Sequence, residues 1–240
     1  MVSIDSVYQK VLTFANKDQR GYVTPQEFNL FADQAQKEIF EQYFYDLNQF
    51  MRVPGNSTVY ADVDDMLEEK MSIFESEDGP GVVGSYQQAA GGFRILPDYI
   101  YRIIRVEISS GATCEILNSN DFKKAITATS LLAPNLQRPV INIQNNIMKA
   151  AAESNGNFIT PTNVFYYKKP ETVQWGYYVI NDKALHDSST NKTTNFELHP
   201  SEETELVYKI LKFAGLSMRR DDVVRSAQSL EAMQSQQEKL

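Results

Sequence analysis

Residues 16–28 read NKDQRGYVTPQEF, and two different folds compete for them. Aligned as a calcium loop, Asn16 takes position one, Asp18 three, Arg20 five, Gly21 six, Val23 eight and Glu27 twelve. Ca²⁺ accepts hard oxygen donors and is held partly by their charge. Asn16 offers a neutral amide there, Arg20 puts a permanent cation where an oxygen is needed, and no second loop of this pattern follows. Read as a helix start, the same residues all find a use. Thr24 is the N-cap, Pro25 fits the first helical position and Glu27 closes a capping box, with Val23 and Phe28 placed as a hydrophobic staple. Gly21 then turns the chain ahead of the cap. The helix wins.

That helix is expected to run from Pro25 towards Phe50. Phe28, Phe31, Ala35, Ile39, Tyr43 and Leu47 step by three or four, and Phe40, Phe44 and Tyr45 widen the apolar stripe. A stripe this wide predicts cover from other elements or from neighbouring subunits. Before it, Val7, Val11 and Phe14 predict a short helix over Asp5 to Ala15. After it, Met66, Met71 and Phe74 predict another over Val63 to Glu75. GPGVVGSYQQAAGG then reads as a flexible loop, and without a closing Gly-Lys-Ser or Gly-Lys-Thr it is no phosphate cradle.

From Phe93 the period shortens to two. Ile104, Val106 and Ile108 alternate with Arg105, Glu107 and Ser109, Ser110-Gly111 turns the chain, and Ala112, Cys114 and Ile116 resume the alternation. This is the chemistry of a hairpin. PVINIQ, a turn at Asn155-Gly156, then VFYYKK and QWGYYVI joined across Pro170-Glu171, predict an antiparallel meander with Trp175, Tyr177 and Tyr178 as its core and rim. Helical spacing returns with Leu206, Val207, Ile210, Leu211 and Ala214, capped by Ser201 and stopped by Gly215. A last segment from Asp221 carries Val223, Val224, Ala227, Leu230 and Met233 on one stripe before a polar tail. The fold class is α+β: a helical body over 1–92 and 198–240, with an antiparallel β-rich insertion over 93–197.

Composition narrows the function. A net charge of -8 and isolated basic pairs (Lys123-Lys124, Lys168-Lys169, Arg219-Arg220) argue against a nucleic-acid grip, which needs clustered cations. Cys114 is the single cysteine and is read as a buried thiol. The start, MVSIDSVYQK, has no signal-peptide pattern, and no apolar run approaches the ~18 residues that span a bilayer. A cytoplasmic protein, or one packaged from a cytoplasm, is expected. The two histidines, His186 in a polar loop and His199 beside a helix start, have no metal-pair spacing and are read as surface or capping groups. Without a nucleophile elbow, phosphate loop or paired-histidine motif, the expectation is a non-enzymatic protein with no cofactor and no metal.

The opening VYQKVLTFANKDQRGYVTPQEFNLFADQAQKEIFEQYFYDLNQ resembles the start of virion structural proteins in marine and crAss-like podoviruses. LPDYIYRI (Leu96 to Ile103), YYKKP (Tyr166 to Pro170), WGYY (Trp175 to Tyr178) and FELHPSEETELVYKILKFAGL (Phe196 to Leu216) resemble the head–tail adaptor ring proteins of short-tailed phages, the tail tubular protein A or gatekeeper type. The resemblance covers most of the chain. It implies a dodecameric ring below the portal protein, contacts with tail or nozzle proteins beneath, and genomic DNA passing through the lumen without specific binding. It also implies a virion location, no membrane, and the stripe Val223, Val224, Ala227, Leu230 and Met233 as a portal-docking element outside the subunit fold. Another neck or tail ring protein, or a monomeric ligand- or calcium-binding module, is the competing expectation. Because Arg20 occupies a ligand position, calorimetric titration with Ca²⁺ is expected to give no binding heat. Saturable binding at micromolar calcium would restore the loop reading.

Overall fold

The computed structural model describes residues 1–16, 23–50, 58–89, 93–127, 133–153, 158–181, 183–187, 192–217 and 227–233. In chain order its helical start comprises α1 (Ile4–Asn16), α2 (Pro25–Phe50) and α3 (Thr58–Ser72). Next come β1 (Glu75–Asp78), α4 (Pro80–Ser85), β2 (Arg94–Ile95), β3 (Ile100–Glu107), β4 (Glu115–Ile116) and α5 (Ser119–Thr127). Five strands follow in β5 (Val140–Gln144), β6 (Ile147–Ala151), β7 (Phe158–Ile159), β8 (Asn163–Lys168) and β9 (Tyr177–Ile180). The chain then forms β10 (Lys183–His186), a 3₁₀ turn over Pro200–Glu202 and α6 (Glu203–Ser217). The fold is α+β. It divides into a discontinuous unit, Met1–Ile73 with Pro170–Leu240, and an inserted unit, Phe74–Lys169.

Both boundaries lie earlier than the sequence pattern places them. Residues 74–92 join the insertion because β1 pairs with β8, and 170–197 join the helical unit because Trp175 packs on Tyr8 of α1 at 4.1 Å. The expected meander through VFYYKK and QWGYYVI is therefore absent: β8 lies between β1 and β3, whereas β9 pairs only with β10 among the described residues.

The helical unit begins as its caps dictate. Thr24 N–H donates to Glu27 Oε2 at 3.0 Å, and Glu27 N–H returns to Thr24 Oγ1 at 3.3 Å. Val23 and Phe28 are buried beside this box. The hydrogen bonds from Thr24 hold the Glu27 carboxyl below its ordinary range. Residues 17–22, with Arg20, lie outside the described residues. Along α2, Phe40 and Phe44 are buried as well as Ile39 and Tyr43, because α3 and α6 both pack against the helix. The wide aromatic stripe is thus covered by other elements of the same subunit, the first of the two alternatives its width predicts, and Tyr45 is the member left exposed. The approach to α6 differs from its pattern: Ser201 lies within the 3₁₀ turn Pro200–Glu202 that precedes the helix, and His199 caps that turn, its Nδ1 accepting from Ser201 N–H at 3.3 Å. Gly215 lies inside the helix and does not stop it.

Two sheets build the inserted unit. One has the order β1-β8-β3, the other β2-β6-β5-β4 with β7 beside β6. β4 runs parallel to β5, an exception to the antiparallel rule expected here. Asn145 and Asn146, both at positive φ, make the tight turn from β5 to β6 that the sequence reading passed over; Asn155-Gly156 lies outside the described residues. Val83, Tyr86, Leu96, Val106, Ile141, Met148 and Val164 form one core. Val83 and Tyr86 belong to the segment read as a flexible loop, so α4 is a packed turn. The Ser110-Gly111 hairpin is present, Ile108 N–H donating to Ala112 C=O at 3.1 Å with Gly111 at φ 79. Its first strand breaks the alternation. Register shifts between Ile100 and Arg102 and between Ile103 and Arg105 insert Tyr101 and Ile104 as extra residues. Ile104 is exposed, and it is Val106 and Ile108 that enter the core. A bulge re-aims one side chain without disturbing the next pair.

Thr24→Ala removes one partner of the capping box and is expected to lower unfolding free energy by about 1 kcal/mol. Pro25→Ala, at a position with no helical N–H bond to lose, is expected to be nearly neutral. Chemical denaturation of the two variants checks the pair, and equal effects would misplace the helix start.

Candidate functional site

The described residues offer one constellation that resembles nucleophilic catalysis. His186 Nδ1 lies 4.0 Å from Asp5 Oδ1, and its Nε2 lies 3.5 Å from Thr193 Oγ1. The order carboxylate–imidazole–hydroxyl is that of an activated nucleophile, but the hydrogen bonds are spent elsewhere. Asp5 Oδ1 accepts from Trp175 Nε1–H at 2.9 Å. Thr193 Oγ1 donates to the Asp187 carbonyl and accepts from Gly176 N–H at 3.1 Å. The threonine proton is held by a backbone acceptor, not by the imidazole. This is a structural cluster. His199 caps a helix, as expected. Cys114 is buried, and burial together with the Glu107 charge pushes its thiol up to about 11, so little thiolate forms near neutral pH. No group of three or more metal-ligating side chains occurs among the described residues, and none of their helices is long and apolar enough to cross a membrane.

Two buried charges are fully compensated. In the inserted unit, Asp78 accepts from Tyr86 and Tyr99 on one oxygen, at 2.6 and 2.7 Å, and from Tyr166 on the other at 3.1 Å. Burial, reinforced by this carboxylate, raises all three phenols above the ordinary tyrosine value. In the helical unit, Lys209 is 2% exposed and faces Glu231, Glu38 and Glu205 at 2.8, 3.4 and 3.4 Å. Burial pulls the lysine down, but these three carboxylates outweigh it and hold the ammonium above its ordinary range. Such clusters fix a core more than they perform chemistry.

Glu231 revises the reading of the last segment. It lies in the helical stretch 227–233 and binds Lys209 and also Lys212, the latter at 3.2 Å. Ala227 is buried; Leu230 and Met233 are exposed. Val223 and Val224 lie outside the described residues. The stretch 227–233 is attached to its own subunit through Glu231. Of the five stripe residues, Leu230 and Met233 remain open to a partner and Ala227 does not.

The surface that stands out is one the sequence reading assigned to a sheet core. β9 and β10 form a two-stranded hairpin that no third strand joins among the described residues. Tyr178, Val179, Ile180 and Leu185 along it are 42% to 62% exposed. Tyr178 pairs with Leu185, and Ile180 lies on that same face opposite Lys183. The other face is pinned at its base. Trp175 stacks on Tyr177 and His186, with ring centroids 5.8 and 5.6 Å apart. Gly176 lets the chain cross beneath, since a Cβ there would lie 2.5 Å from the Lys192 carbonyl oxygen. A two-stranded hairpin is marginal in water, and this one spends the contacts of Trp175 on one face and leaves Tyr178, Ile180 and Leu185 bare on the other. Contiguous exposed apolar groups of this kind mark interaction surfaces. No signal in the alternation of QWGYYVI distinguishes a buried sheet from a bare hairpin. No protein-family model matches the chain, and no curated protein matches it.

Glu231→Ala is expected to cost about 2 kcal/mol at neutral pH, the scale of a lost charge-assisted hydrogen bond. Burial alone would raise this carboxyl, but Lys209 and Lys212 hold it below its ordinary value. Its contribution is therefore present above the ordinary carboxylate range and fades as pH falls through the folded-state value. Denaturation at pH 7 and at pH 3 should show the wild-type and variant curves converging on acidification.

Proposed function

We propose that this chain is a non-enzymatic structural protein of a short-tailed phage virion, assembling as an adaptor ring between portal and tail. The observation that carries an assembly role is the bare apolar face of the β9–β10 hairpin, Tyr178, Ile180 and Leu185, on a rigidly pinned base. The phage assignment rests on the resemblance of its opening phrase and of the segments around Leu96, Tyr166, Trp175 and Phe196. In this reading the partners are further copies of the chain, twelve to a ring by that resemblance, the portal above and tail proteins below. DNA passes through the lumen, and the acidic composition, net -8, suits a wall to which phosphates do not adhere.

The test is light-scattering size measurement of the purified chain, alone and with portal rings. The wild type is expected to join the rings. Tyr178→Ser with Ile180→Ser is expected to weaken that association roughly tenfold or more while leaving the melting temperature unchanged. A chain that stays monomeric and indifferent to portal would favour a monomeric ligand-binding module instead.

A further inference from the structure

The outer face of the sheet β1-β8-β3 is ordered in rows across its three strands. Glu75 pairs with Tyr167, which pairs with Arg102; Glu77 pairs with Phe165, which pairs with Arg105. Each row therefore runs acid, aromatic, arginine. The acids lie on one edge strand and the arginines on the other, and all four charged residues are exposed. Tyr167 OH donates to Glu75 Oε1 at 3.2 Å, and the Arg105 guanidinium lies 4.2 Å over the Phe165 ring while reaching Glu107 at 3.0 Å. Glu77 and Arg102 make no ion pair among the described residues.

We propose that copies of this chain associate head to tail through these edges, the acidic β1 of one copy meeting the basic β3 of the next. The proposal rests on the reading that the chain self-assembles, and it names the contact. Four observations support it. Both edges are open: among the described residues β1 pairs only with β8, and β3 over 100–105 likewise, its far end alone being covered by the strand after the Ser110-Gly111 turn. The directions match, because β1 and β3 are each antiparallel to β8 and so run parallel to one another. A neighbour shifted sideways along the sheet presents β1 to β3 without being turned over.

The spacing matches too. Arg102 and Arg105 are three residues apart and would fall on opposite faces of a regular strand. The bulge at Ile104 absorbs the extra residue and puts both on one face, at the two-residue step that separates Glu75 from Glu77. Finally, apolar surface accompanies the charge. A hollow of about 200 Å³ beside β3 is lined by Ile100, Tyr101, Ile103, Ile116 and Ile143, and Val82, on the α4 helix that follows β1, is exposed.

Charges and bulges on edge strands also serve simply to keep edges apart. That role is met by any charge on either edge. It needs neither opposite signs nor a matched register. Here β1 against β1 sets glutamates facing glutamates, and β3 against β3 sets arginines facing arginines. Both symmetric pairings are disfavoured and the head-to-tail one remains. A repeated heterologous contact of this kind closes a ring or extends a filament.

Cross-linking tests it in the full chain, where the natural Cys114 is buried. Glu77→Cys combined with Arg105→Cys is expected to give a ladder of disulfide-linked dimers, trimers and higher species on mild oxidation. The single variants are expected to form no cross-link alone and to give disulfide-linked dimers only when mixed. Exchanging the charges provides a second reading. Arg102→Glu with Arg105→Glu, and separately Glu75→Arg with Glu77→Arg, should each weaken association about tenfold, and an equal mixture of the two should recover it. Singles that cross-link by themselves, or swapped pairs that do not recover on mixing, overturn the proposal. Should the wild type assemble, alone or on portal rings, without the double variant laddering, the edge contact is wrong and self-assembly stands. A wild type that remains monomeric under both conditions overturns both.

Discussion

Trp175 is the pin of the helical unit. Its backbone N–H donates to Asn29 Oδ1 at 2.8 Å and its carbonyl accepts from Asn29 Nδ2 at 3.3 Å, which ties the returning chain to α2. Its indole N–H donates to Asp5 of α1, and its ring lies against Tyr8, itself packed edge-on to Phe28 at 4.7 Å. One residue thus joins the first helix, the second helix and a segment about 150 residues further along the chain. Gln36 repeats the arrangement about two turns along α2: fully buried, it donates to the Glu171 carbonyl and accepts from Glu197 N–H. These amide bridges satisfy backbone groups of an irregular segment whose β pairing among the described residues is limited to isolated bridges, Gln174 with Thr194 and Phe196 with Val2, a need that every buried stretch of chain must meet.

The parts of this fold legible in the sequence are those governed by local chemistry. The Thr24–Glu27 capping box, the Ser110-Gly111 turn and the extent of α2 follow from side chains and backbone within a few residues of each other. What the sequence hid depends on distant partners. ESED at Glu75–Asp78 carries no apolar alternation, and it is a strand because β8 accepts it and because Asp78 collects three phenols. VFYYKK and QWGYYVI look alike in pattern, yet the first is sandwiched between two strands and the second stands in a lone hairpin. Bulges hid the exposure of Tyr101 and Ile104, since period two presumes an unbroken ladder.

The candidate surfaces were legible in part. The last stripe reads in sequence as one apolar face, yet of its described members only Ala227 is buried, and its attachment through Glu231 is hidden, because a single glutamate in a polar tail says nothing about a buried lysine twenty-two positions earlier. Lys209 itself looks like a surface cation in sequence. Only the convergence of α2, α6 and the stretch 227–233 makes it a buried one, and three carboxylates are what make that tolerable. The charge rows on β1, β8 and β3 likewise exist only once the strands are aligned.

The stacking of Trp175 has an optical consequence. It is the chain's single tryptophan, so every bit of indole emission comes from one place, between the imidazole of His186 and the phenol rings of Tyr8 and Tyr177. A ring stacked on an indole alters its emission, and a polar environment shifts that emission to the red. The colour and intensity of this one fluorophore therefore report whether β10 is seated on its base. The molecule carries its own gauge for the seating of this hairpin.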